Sequence, residues 1–281
     1  MATYTAADIK ALREKTGAGM LDVKKALDEA EGDQDKAVEI IRVKGLKGVA
    51  KREGRSTLDG LVAAEVVKTE DGQTGVMIEL NSETDFVAKS GPFMKLAAEV
   101  LEAAAGLGGP EASIVLGAQA ESKKETVQDL IDQTAAILGE RLQLRRVASV
   151  AGERVDVYLH RTNKDLPPQV GVLVATDERG AAVAHDVAMH IAAYSPVYLN
   201  RDAVPPEVIE AERRIAKETA VAEGKPPAAL DKIVNGRMNG FFKENVLLDQ
   251  AFAKDPKTTV GKVLAQAGGV VTGFARFRVG A

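Results

Sequence analysis

The sequence predicts an α+β protein. Three observations carry that prediction. Apolar residues recur at helical spacing through residues 1–44, a strand–strand–helix pattern occurs twice, and a proline-opened pair of amphipathic segments follows the second copy. The 281 residues suggest about two domains. Hydrophobic residues make up 45% and charged residues 28%, enough apolar material for a core under a charged surface. A net charge of −4 disfavours nonspecific binding to nucleic-acid phosphates. With no cysteine, disulfides and thiolate metal sites are excluded. The N-terminal MATYTAADIKALREK carries charges where a signal peptide needs an apolar stretch. No apolar run approaches the ~18 residues of a membrane span. The expectation is a cytoplasmic protein with no membrane partner.

The head comes first. Residues 1–44 read as three short helices. Thr5 is placed to cap the first, with Asp8 in the reciprocal position and Ile9 and Leu12 on one face. Gly17 and Gly19 are expected to end it in a tight turn. Met20, Val23, Leu27 and Ala30 space a second helix that stops at Gly32. Asp33 then opens a third, which buries Ala37, Val38 and Ile41. Three helices of this length make a core near the lower limit of independent stability. Residues 45–60, GLKGVAKREGRSTLDG, read as a flexible linker whose basic residues are Lys47, Lys51, Arg52 and Arg55. No aromatic residue interleaves with them to stack on bases, so a solvated tether is favoured over a nucleic-acid tract.

The repeat follows. Leu61–Val67 and Gly75–Leu80 form a strand pair turning at Asp71-Gly72, with a helix from Pro92 to Ala105. Val155–His160 and Gly171–Ala175 form the second pair, with a helix from Ala182 to Ala193. Between the copies, Thr126–Leu138 reads as a helix ending at Gly139, and Leu142–Val150 as a strand. After the second copy, Pro205-Pro206 opens a helix to Glu223, GKPP breaks it, and a second runs from Ala228 to Phe242. In this antiparallel hairpin Val208, Ile215 and Thr219 are expected to face Leu230, Ile233, Val234 and Met238. Val270–Val279 reads as a last strand closing the second sheet. The first copy takes 14 positions from Asn81 to Lys95 where the second takes 9 from Asp177 to Asp186. The excess falls at SETDFVAKSG, which the scaffold does not need.

Several chemistries are missing. There is no GxxxxGK[ST] phosphate loop. The glycines at 106, 108 and 109 open no helix after a strand. His185 and His190 lie five apart, about 140° around a helix, a poor metal pair. Glu83 and Asp85 would point oppositely if their loop is extended, which disfavours acid–base work. What stands is surface. LREKTGAGMLD at 12–22 and NSETDFVAK at 81–89 resemble docking segments, and the second sets the Phe86 ring beside two carboxylates on a loop.

LREKTGAGMLD with KKAL and the third helix resembles the N-terminal domain of bacterial elongation factor Ts. NSETDFVAK, GVLVA, AMHIAA and TGFARFRVG match that family in order, so the resemblance spans essentially the whole chain. It implies a ubiquitin-associated-like head with its linker (1–54), a core N-subdomain (55–151), a core C-subdomain (152–204 and 256–281) and an inserted helical hairpin (205–255). It also implies a guanine-nucleotide exchange factor, itself no enzyme, that binds elongation factor Tu and no nucleic acid directly. Thr84, Asp85, Phe86 and Val87 then match the loop that enters the partner's G domain and disturbs its Mg²⁺ site. Arg13, Met20 and Leu21 match the head's contacts with that domain. Leu21 departs from the methionine often found there, a volume-conserving change. His160 matches a residue of the part that docks on the partner's outer domain, although its loop, LHRTNKDLPPQVG, is longer than usual. No contact carries over from the further C-terminal helix of some members. GDP, GTP and Mg²⁺ belong to the partner, so no cofactor is implied. A homodimer or a heterotetramer with the partner stays open. On the residues alone, an adaptor for ubiquitin-like proteins and an RNA-binding factor using the basic linker also stay open.

Overall fold

A computed structural model describes residues 4–16, 18–120 and 125–281. The head is built of α1 (Ala6–Thr16), α2 (Met20–Glu29) and α3 (Gln34–Ala50). The Thr5 N–H donates to the Asp8 carboxylate at 2.7 Å, and the Asp8 N–H donates to Thr5 Oγ1 at 3.2 Å. That closes the reciprocal cap. Asp33 caps α3 by accepting from the N–H groups of Asp35 and Lys36. Leu12, Val23, Ala26, Leu27 and Ala37 fill the small core. The turn at TGAGM differs from expectation. Gly19 is the extended N-cap of α2 and does not close α1 in a left-handed turn, while Gly17 lies outside the described residues. The left-handed turn comes later, at Glu31 (φ 53°) and Gly32 (φ 89°).

The tether also differs. α3 continues through Ala50 and lies along α7 (Val127–Leu138). A Cβ at Gly45 would stand 2.5 Å from the Cβ of Ala136, so this glycine lets two helices touch. Arg42 pairs with Glu125 at 2.9 Å, and Arg52 donates to the Ala135 carbonyl at 3.4 Å. Composition reads these residues as a linker; packing places Gly45 and Arg52 against α7.

Two three-stranded antiparallel sheets form the middle of the molecule. The first orders β1 (Asp59–Thr69), β2 (Gly72–Ser82) and β3 (Gln143–Gly152) around β2. The second orders β4 (Arg154–His160), β5 (Val170–Thr176) and β8 (Val271–Arg278) around β5. Strand periodicity sends alternate residues to opposite faces. Val76, Ile78 and Leu80 face α5 (Gly91–Gly106) and α7, and Val172 and Val174 face α8 (Ala181–Tyr194) and α11 (Val260–Ala267). The other faces meet through Val62, Met77, Leu173 and Phe277. Gly171 lets them close, since a Cβ there would lie 2.4 Å from Val62. Glu79 is buried between the sheets. It accepts from Arg146 Nε at 2.5 Å and from the Gly280 N–H at 3.2 Å, which satisfies a charge that would be costly alone.

The hairpin is α9 (Pro206–Ala222) and α10 (Leu230–Asn245). Its buried stripe is turned by one residue from the expected face. Ala216 and Ala220 are buried and Ile215 is exposed. Small alanines allow the helices to approach, while the larger isoleucine stays in water. After α10, Leu247 and Phe252 already pack in the core of the second unit, with the short pair β6 (Ala251–Phe252) and β7 (Asp255–Thr259). The patterns did not anticipate β6, β7 or α11. A short helix, α6 (Ala112–Gly117), also fills the first core through Val115. No described helix is long and apolar enough to cross a membrane.

Candidate functional site

The first sheet passes from β2 to α5 through residues 83–90, and these do not form an extended loop. Asp85–Ala88 make one helical turn, α4. Thr84 is its N-cap, with extended backbone and its hydroxyl accepting from the Val87 N–H at 3.4 Å. Val87 and Ala88 point into the first core. Phe86, between them and Asp85, has the opposite direction forced on it and is 73% exposed. A ring that size in water is a large apolar surface left without a neighbour from the core. It is not wholly free. Lys89 Nζ lies 4.6 Å over its centroid and 3.4 Å from Asp85 Oδ2, so one ammonium holds both ring and carboxylate.

Two further carboxylates hold this turn from behind. Glu140 accepts from the N–H groups of Glu83 and Thr84, each at 3.0 Å. Glu83 accepts from the Arg141 N–H at 2.6 Å and pairs with Arg55 at 3.2 Å. Glu83 and Asp85 flank the extended Thr84 and bind different partners, Arg55 and Arg141 on one side and Lys89 on the other. Asp59, at the start of β1, completes a small acidic region. Burial, and then the charges of Asp85 and Glu140, push its carboxyl above the usual range.

Of the four residues singled out in this loop, three are at the surface or half-buried and one is not. Thr84 and Asp85 are half-buried, Phe86 is exposed, and Val87 is core. Val87 seats the turn, and the ring beside it is what a partner can reach. In the head, Arg13 is exposed, and Met20 and Leu21 are 60% and 72% exposed at the first turn of α2. Their helix buries Val23, Ala26 and Leu27 on its other side. His160 is exposed at the end of β4, with Nδ1 3.0 Å from the Tyr158 hydroxyl. His185 lies on Asp156 at 3.0 Å, and His190 is buried against Gln250 at 2.8 Å. Among the described residues no group of three or more His, Cys, Asp or Glu side chains could hold a metal ion. Sequence reasoning passed over Glu140. Its one local signal is that a carboxylate follows Gly139, the left-handed end of α7 (φ 76°).

Comparison with known proteins identifies the family. A family model described as Elongation factor TS matches residues 83–281. The chain is 65% identical over 283 residues to Elongation factor Ts of Beutenbergia cavernae, with 100% of each chain covered. It is 62% identical over 283 residues to Elongation factor Ts of Micrococcus luteus, again with 100% of each covered. The same protein of Renibacterium salmoninarum is 61% identical over 284 residues, with both chains covered in full. A match across more than half of the chain, together with relatives alike from end to end, shows that this chain belongs to the elongation factor Ts family.

Proposed function

We propose that this translation elongation factor binds elongation factor Tu·GDP and promotes GDP release by disturbing the partner's Mg²⁺ site, so that GTP enters. The observation that carries this is Phe86, set 73% exposed on a turn whose next two residues are core. The scaffold holds an apolar ring outward where the second copy of the unit has none. In this reading Thr84, Asp85 and Phe86 meet the partner's G domain while Val87 anchors them. Arg13, Met20 and Leu21 dock the head, and His160 lies in the part that reaches the outer domain. The chain works in the cytoplasm and carries no cofactor of its own.

Exchange is a reciprocal negative coupling between factor and nucleotide. Weakening GDP about a thousandfold takes roughly 4 kcal/mol of differential binding. Burying one phenylalanine supplies about 1.5–3 kcal/mol, so a pocket that opens only when Mg²⁺ is disturbed lets Phe86 contribute a large share. Mg²⁺ bridges phosphate oxygens in such GTPases, and loosening its ligands loosens GDP. The test is stopped-flow release of fluorescent GDP from elongation factor Tu. Release is expected to accelerate with added chain, and an unchanged rate overturns the reading.

A further inference from the structure

The turn that presents Phe86 is too short to keep its own shape. α4 has four residues, far below the ~12–15 at which isolated helices become even marginal in water. Its direction must be imposed by contacts outside it. The Thr84 cap is long, at 3.4 Å. Ser82 Oγ donates to the Thr84 carbonyl at 3.0 Å, and the shortest contacts come from the connection after α7. One oxygen of Glu140 accepts the Glu83 and Thr84 N–H groups at 3.0 Å each, and the other accepts the Thr84 hydroxyl at 2.6 Å. Glu83 answers by accepting the Arg141 N–H at 2.6 Å. Two neighbouring carboxylates thus each bind the backbone of the other's segment, a reciprocal staple between residues 83–84 and 140–141. Bonds to a charged acceptor are about twice as strong as neutral ones.

We propose that Glu140 is the positioning residue of the exchange turn. It meets no reacting atom. It fixes the entry to α4, and so the line along which Phe86 leaves the surface. The inference rests on the proposed exchange function. Its chemistry sets a clear order for variants. Alanine removes the acceptor for all three donors. Glutamine keeps one oxygen for the two N–H groups and turns its amide N–H₂ to the Thr84 hydroxyl, which can accept instead of donate.

The test is a double-mutant cycle in GDP release at saturating factor, using the full chain. Glu140→Ala is expected to slow release about tenfold. In a Phe86→Ala background the same change should cost no more than about twofold, because the group it aims is gone. Glu140→Gln should stay within about threefold of wild type, since two of the three donors keep their acceptor. In the free protein, amide exchange of Glu83 and Thr84 should quicken in Glu140→Ala, with the strand amides of the first sheet unchanged. Equal slowing in both backgrounds, or no slowing at all, overturns the inference. So does amide exchange that quickens across the whole first sheet, which would make Glu140 an ordinary stability residue. A wild-type chain that leaves GDP release unchanged removes the functional reading itself, and this inference with it.

Discussion

Both sheets hand the chain from a middle strand to a helix, and the two connections differ. After β5 the chain uses only residues 177–180. Asp177 closes that turn, its Oδ1 accepting the Gly180 N–H at 2.8 Å and the Val270 N–H at 2.9 Å, and Glu153 accepts the Glu178 N–H at 2.7 Å. The backbone donors to Asp177, Val270 first, hold its carboxyl below the usual range. After β2 the chain uses residues 83–90, adds α4, and needs Glu83 and Glu140 to hold it. Each connection thus has two carboxylates on backbone donors. They differ in load: the shorter one only turns, and the longer one also carries the exposed Phe86 ring. The longer connection adds Val87 and Ala88 to the first core and leaves Phe86 outside it.

The strongest way to break this contrast is Phe86→Ala. GDP release should slow about ten- to a hundredfold, from ~1.5–3 kcal/mol of lost burial in the complex. The exposed position predicts an almost unchanged melting temperature of the free protein. A normal release rate with a melting point several degrees lower would make the ring core packing. Next is the head. Met20→Ala with Leu21→Ala removes two exposed side chains, so stability should hold while affinity for elongation factor Tu falls about tenfold in calorimetry. Point changes are cleaner here than removal of residues 1–54, because α3 lies on α7. Asp85→Ala should slow release by about threefold, through lost polar contact and a freed Lys89. Asp177→Ala is the control from the second connection: melting should drop and exchange should not change.

The smallest effect concerns pH. Burial pushes the His190 imidazole below its usual 6.5, against a smaller upward pull from Gln250. Its Nδ1 accepts the Ala253 N–H at 3.1 Å, which requires the neutral ring. A depressed histidine means that the unfolded chain takes up its proton first. Stability is therefore full above pH 6.5 and declines as pH falls from there toward the folded value. His190→Gln should flatten that decline in melting curves taken on either side of pH 6.5.

What could be read in the sequence was what local periodicity and caps control. Thr126 and Asp129 form the capping box of α7, and Gly139 ends it in a left-handed turn. The strand pairs lie where alternation placed them. What could not be read depended on distant partners. Gly45 in isolation is a tether residue, and only Ala136 makes it a contact. Ile215 looks like a core residue of the hairpin until Ala216 sets how close the helices come. The TDFVAK segment has too few residues for a helical period, so α4 was invisible there. Glu140 binds donors 56 and 57 residues away, and no local pattern reports that.

The two sheets also differ in when they can exist. β1, β2 and β3 are all present by Gly152, so the first sheet has its full set of strands early in vectorial synthesis. β5 gains its second neighbour only when Val271–Arg278 has been made, after the whole hairpin. Until then one edge of a strongly apolar strand lacks hydrogen-bond partners and is open to foreign strands. The same late segment brings Val270, whose N–H binds Asp177, and Gly280, whose N–H binds Glu79 between the sheets. On the ribosome, the first unit can have all its strands and the Phe86 turn while its Val62, Met77 and Glu79 still wait for the last strand.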